Sequence, residues 1–305
     1  MIRLKTMLIP FCLAGFITAV HAGQPDSSHL WYIHFSNANT RPTYDDFHHI
    51  TEAQQQATGR GIRVGIIDTY FGYRHNEPLF AGGRNFSGDS SAFEEIAEHG
   101  LWMATTLREI APGVDIYALN ARHKDRDIET QAIVSAVDWA IENGLNILTY
   151  SAQPFREQDR TEIDNAVRKA ITQNITVIFI HYDLPENILP FAFLPDSIFP
   201  YTREADVNVF HYDYNLLLLD KYRQYLSAGK KQPESLRDHP YLSFSSMAPV
   251  LAGIVAMMKE INPALAPAEC KRILIETSRE IDYDGYRVKR AVDALQALKQ
   301  VQGAP

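Results

Sequence analysis

The chain has 305 residues, 46% hydrophobic and 22% charged, which is the mix of an ordinary globular protein and excludes a disordered chain, a collagen or a coiled coil. Its 29 basic and 37 acidic residues give a net charge of −8. No stretch concentrates Lys and Arg enough to track a phosphate backbone, so no nucleic-acid partner is expected.

Arg3 and Lys5 precede an apolar run from Met7 to Val20, and Val20-His21-Ala22 closes it with small residues before a polar stretch. That is the pattern of a secretory signal peptide cut after Ala22. The run is too short, with Pro10 too near its middle, for a comfortable membrane span. The expected organisation is a signal peptide over 1–22, a lead-in segment over 23–58 and one folded domain over 59–305. The expected location is secreted or periplasmic, without stable membrane insertion after cleavage. Cys12 would leave with the signal, and Cys270 alone cannot form an internal disulfide or a Cys-ligated zinc site.

Residues 24–58 are polar and show no periodic pattern, and the His48-His49 pair within them reads as solvated surface. IRVGIID, ending in Asp68, is a near-continuous apolar run, the signature of a strand buried on both faces. A second such run covers Val114 to Leu119. Ile128, Ala132, Ala136, Val137, Ala140 and Ile141 recur at helical spacing, and Asn143-Gly144 stops that helix. Leu145 to Tyr150 is the next strand, Ile163 to Ile171 the next helical stripe and Ile175 to Ile180 the strand after it. This alternation predicts an α/β domain whose mainly parallel central sheet carries helices on both faces. Met247 to Met258 is apolar all round, so it predicts a buried central helix. Ala268 to Glu276 and Arg290 to Leu298 read as closing helices.

In an open parallel sheet, ligands bind beyond the carboxyl ends of the strands. The polar residues expected there are Asp68, Ser151-Ala152-Gln153, Asp183, His99, and Ser245 or Ser246 at the start of the buried helix. An Asp, a His and a Ser at element ends can form a nucleophilic triad: His takes the serine proton, and Asp fixes the imidazole tautomer and stabilises the cation. No G-x-S-x-G and no H-E-x-x-H is present, which argues against an α/β-hydrolase elbow and a zinc peptidase.

From about Gly59 to Ala294 the chain resembles the subtilisin-like serine peptidases. GRGIRVGIIDT resembles the strand that ends in that family's catalytic aspartate, here Asp68, and His75 matches a histidine common in the same motif. EHGLWMA resembles the helix start that carries the general base, here His99. FSSMAPVLAG resembles GTSMAAPHVAG. Counting back without a gap from Pro249 and Ala252-Gly253 places the nucleophile at Ser245, whereas Ser246 requires a one-residue deletion. The resemblance implies a three-layer fold and a secreted serine endopeptidase of narrow specificity acting on proteins or peptides. It also implies a substrate cleft at Ser151, Ala152 and Gln153 and an oxyanion residue at Asp183. The alternative is a degenerate domain that binds a peptide or partner protein without cutting it. No cofactor is implied, and no counterpart of the family's calcium sites can be traced, so no metal is named.

The pattern is broken at several places. Tyr70 stands where the family has glycine, Leu101 where it has threonine, Ser243 and Phe244 where it has Gly-Thr, and Gln153-Pro154 where it has Gly-Gly. Asp183 replaces an asparagine, and a carboxylate can donate a hydrogen bond only when it is protonated.

Overall fold

The computed structural model describes residues 48–151, 156–180, 245–283 and 286–303, together with short strands at 32–34, 190–191, 207–208 and 216–218. The expected signal peptide, Ala152, Gln153 and Asp183 lie outside the described residues.

The central sheet has five strands: β1 (Arg63–Asp68), β2 (Gly82–Asn85), β3 (Asp115–Asn120), β4 (Ile147–Tyr150) and β5 (Thr176–Phe179). Their order is β2-β3-β1-β4-β5, and every neighbouring pair is parallel. Parallel neighbours need crossovers, and the helical stripes of the sequence supply them. Helix α4 (Arg126–Glu142) follows β3, and α5 (Arg160–Thr172) links β4 to β5. Asp125 caps α4, accepting from the amides of Asp127 and Ile128. Shorter helices α1 (Ile50–Gln54) and α2 (Ser90–Glu94) precede α3 (His99–Ile110) in the chain.

Alternation along each strand divides the core into two. Ile67, Leu119, Leu148, Val177 and Phe179 pack with Ala132, Ala136, Ile163 and Val167 of α4 and α5. Their neighbours Ile66, Ala118, Ile147 and Ile178 face Leu101, Leu107, Leu251 and Ile254 of α3 and α6 (Met247–Ile261). The result is the expected three-layer α/β arrangement, with helices covering both faces of the sheet.

Every residue of α6 from Met247 to Lys259 is buried, as its apolar circumference requires. Gly253 allows the close packing of α6 on α3, because a Cβ there would lie 2.5 Å from Ile110 Cγ2. Buried Lys259 donates from Nζ to Leu265 O at 2.6 Å, and burial pushes its pKa down. One carboxylate oxygen of Glu260 accepts from the amides of Thr58, Gly59 and Arg60 at 2.6, 2.6 and 3.0 Å, tying the end of α6 to the approach of β1. No helix among the described residues is long and apolar enough to cross a membrane.

Three sequence expectations need correction. The segment before Thr58 contains α1, a helix too short to show a period, whose Ile50 and Ala53 are buried. His48 is buried, with its Nδ1 2.7 Å from Val292 O, and His49 Nδ1 lies 3.0 Å from Asp293 Oδ2. This histidine pair therefore clips the lead-in to the closing segment, with His48 buried and His49 only partly exposed. Finally, Arg290 and Ala291 end a strand, β7 (Tyr286–Ala291), paired antiparallel with β6 (Arg279–Tyr283). Following α7 (Pro267–Glu276) and that hairpin, the closing helix α8 starts only at Ala294 and runs to Gly303. Asp293 sets its start by accepting from the Gln296 amide at 3.0 Å.

Candidate active site

Asp68 is the last residue of β1, at the middle of the sheet, and is completely buried. Its Oδ1 accepts from the Thr69 amide at 2.8 Å. His99 is the first residue of α3, and its Nδ1 lies 2.8 Å from both Oδ1 and Oδ2 of Asp68. A buried carboxylate on Nδ1 selects the tautomer protonated there, so that Nε2 is the nitrogen able to exchange a proton with a reacting group. The imidazole side chain is 25% exposed, so one edge reaches the cleft while the other is fixed.

The segment after Asp68 holds this pair in register. Thr69 O accepts from Gly100 N at 2.7 Å, Tyr70 O accepts from Glu98 N at 2.8 Å, and Phe71 pairs with Ala97. The first turn of α3 is thus bolted to the chain leaving β1. A Cβ on Gly100 would stand 2.5 Å from Thr69 O, which is why the residue after the histidine carries no side chain. Tyr70 adopts the left-handed φ of 60°. The backbone keeps a conformation that suits glycine, at a cost of about 1–2 kcal/mol for a residue with a Cβ.

Ser151 follows β4, the strand beside β1, and Ser245 immediately precedes Ser246, the residue before α6. Ser151 Oγ donates to Ser245 O at 2.7 Å, and Ser245 Oγ donates to Ser151 O at 3.4 Å. Ser246 is fully buried, and its side chain does not cap the helix. Asp68 with His99 form one contact pair and Ser151 with Ser245 another, and both lie at carboxyl ends of adjacent strands.

Comparison with known proteins fits this arrangement. No protein-family model matches the chain. It is 30% identical over 129 residues to Subtilisin DY of Bacillus licheniformis, a match spanning 39% of this chain and 46% of that one. It is 22% identical over 239 residues to alkaline elastase YaB of a Bacillus species, covering 73% of this chain and 61% of the relative. Among solved structures, MycP1 with its N-terminal propeptide removed superposes with a TM-score of 0.61 at 17% identity, covering 85% of this chain and 97% of that one. The MycP3 protease superposes with a TM-score of 0.63 at 13% identity, covering 88% and 92%. The chain has the subtilisin-like α/β fold.

Sequence reasoning missed one group in this fold. A cavity of about 410 Å³ opens beside the imidazole, lined by Thr69, Tyr70, Asp89, Glu98, His99, Arg122, His123 and Lys124 among others. Arg122 follows β3 by two residues, beyond the apolar run that ends at Leu119. Burial works against the Arg122 charge, but the carboxylates of Asp68 and Glu129 outweigh it and raise the pKa above the ordinary arginine value. The Tyr150 phenol is held protonated, chiefly by burial and next by the charge of Glu129. The available signal was the spacing Arg122, Arg126, Glu129 across the start of α4, three charges of which one is buried.

Proposed function

We propose that this chain is a subtilisin-like serine endopeptidase. The observation that carries the proposal is the contact of His99 Nδ1 with both oxygens of buried Asp68 at 2.8 Å. His99 takes the proton of a serine hydroxyl as that oxygen attacks the peptide carbonyl, and returns it to the leaving amine. Asp68 holds the ring and stabilises the imidazolium formed between those two steps. The N-terminus of α6 behind the serine pair contributes its positive dipole end to the developing oxyanion. Export through the 1–22 segment and action outside the cytoplasm belong to the same proposal, as does a protein or peptide substrate.

The gapless count makes Ser245 the nucleophile. A second reading, Ser246, is favoured by its place directly before the first residue of α6. The two readings separate in one experiment, hydrolysis of a fluorogenic peptide pool by Ser245→Ala and Ser246→Ala. The variant lacking the nucleophile is expected to lose at least about 10⁴-fold in kcat, and the other to retain most of its activity. Wild-type protein that hydrolyses nothing would instead favour a cleft that binds peptides without cutting them.

Asp183 is proposed for the oxyanion site by its place in the sequence alone. If it serves there, Asp183→Asn should raise kcat near pH 8, where a carboxylate has no proton to donate. The gain should approach about 10²-fold, as for one restored donor. Superimposable pH–rate profiles of the two forms would remove Asp183 from the site.

A further inference from the structure

The cavity beside His99 has an unusual wall for a site that handles uncharged peptide bonds. Arg122, His123 and Lys124 are consecutive, and all three line it. Glu129, on α4 and nearly buried, takes Arg126 Nη1 at 2.6 Å and Arg122 Nε at 3.4 Å. Arg122 and Arg126 thus share that carboxylate. The geometry also fixes which atoms are left over. The Nε edge of Arg122 points to Glu129, and its two terminal amino groups make no hydrogen bond among the described residues. Lys124 has no ion pair among them either. Arg122 is thus anchored at one edge, 31% exposed, and offers a planar pair of donors to a cavity that the proposed general base shares. That fork matches a carboxylate. Two carboxylates also line the cavity: Asp89 Oδ1 accepts from the Ala92 amide as a helix cap, and the Glu98 backbone amide donates to Tyr70 O.

We propose that Arg122, backed by Lys124, recognises an acidic side chain of the substrate close to the scissile bond, with Glu129 as the positioning residue. The inference deepens the peptidase reading and rests on it for the location of the scissile bond.

The test uses fluorogenic peptides in matched Glu and Gln versions, with the acidic residue scanned through the positions flanking the cut. Wild-type protein is expected to show kcat/KM about 10- to 100-fold higher for Glu than for Gln at one position, the span of a charge-assisted hydrogen bond. Arg122→Ala should bring that ratio close to one. Arg122→Lys, which keeps charge but not the fork, should retain part of it, and Arg122→Glu should shift preference toward Lys. The ratio should shrink in 0.5 M salt. Absence of a Glu preference at every position, or a ratio unchanged in Arg122→Ala, overturns the inference. Fluorescence anisotropy of the same peptides, labelled and mixed with wild-type protein and Arg122→Ala, separates the two failures. Tighter, Arg122-dependent binding of the Glu peptide without any cleavage sinks the peptidase reading and keeps the acidic recognition. Cleavage with equal binding of both peptides sinks the recognition and keeps the peptidase.

Discussion

Asp68→Asn is expected to lower kcat for peptide hydrolysis by about 10⁴-fold while the protein stays folded. The magnitude is that of the same exchange in a trypsin-type triad. The reasoning is specific to this geometry. Both carboxylate oxygens face His99 Nδ1 at 2.8 Å, so an asparagine must either present its amide NH₂ to that nitrogen or keep only one acceptor there. Presenting the amide favours the tautomer with the proton on Nε2, which cannot accept the serine proton. The Asn oxygen can still accept from the Thr69 amide, so the turn after β1 retains its bond. Steady-state kinetics with a thermal melt of the same preparation checks this. A loss below tenfold in a normally folded variant would mean that the pair does not serve catalysis.

Gly100→Ala is expected to damage stability and activity together. The added Cβ would fall 2.5 Å from Thr69 O and 2.8 Å from the Phe71 ring, and the first of these is backbone that cannot rotate away. Relief requires α3 to move off the 69–71 segment, breaking the 2.7 Å bond from Gly100 N to Thr69 O. Overpacking of this kind costs about 1–3 kcal/mol. Because His99 is the adjacent residue, the same displacement carries the imidazole away from Asp68, and about 10²-fold in kcat should be lost even where the variant is fully folded. The measurement is kcat below the melting transition, alongside Tm. A variant with wild-type Tm would show that the close approach is relieved cheaply. A lowered Tm with unchanged kcat would show that the clamp supports the fold but not the histidine.

Much of this architecture is legible in the sequence because the sheet is buried on both faces. IRVGIID has apolar residues pointing both ways, and the structure uses Ile66 and Ile67 in opposite halves of the core. The same holds for α6, whose lack of a polar face leaves it only an interior position. What the sequence hides is made of residues without a pattern. Strand β2, Gly-Gly-Arg-Asn, lies at the sheet edge and is only partly buried, so neither alternation nor an apolar run marks it. The boundary at Ala291 was obscured because Arg290, Ala291 and Val292 continue a helix-like composition into a strand end, and only the Asp293 cap shows where the helix starts. Among the proposed site residues, Asp68 and His99 are placed by motif and then joined by geometry. Arg122 is invisible by motif, since its significance comes from Glu129, seven positions away on the next helix. The choice between Ser245 and Ser246 turns on helix phase, which one gap in an alignment reverses.

The most direct test of the central claim, that Asp68 and His99 activate a serine at the start of α6, is adduct mapping. The full chain is treated with a fluorophosphonate and digested, and the modified residue is located by mass spectrometry. The account predicts one adduct per molecule on the peptide that carries Ser245 and Ser246, absent in His99→Ala and in protein unfolded before treatment. An unmodified serine pair in folded wild-type protein, or a label that persists in His99→Ala at the wild-type rate, would contradict it.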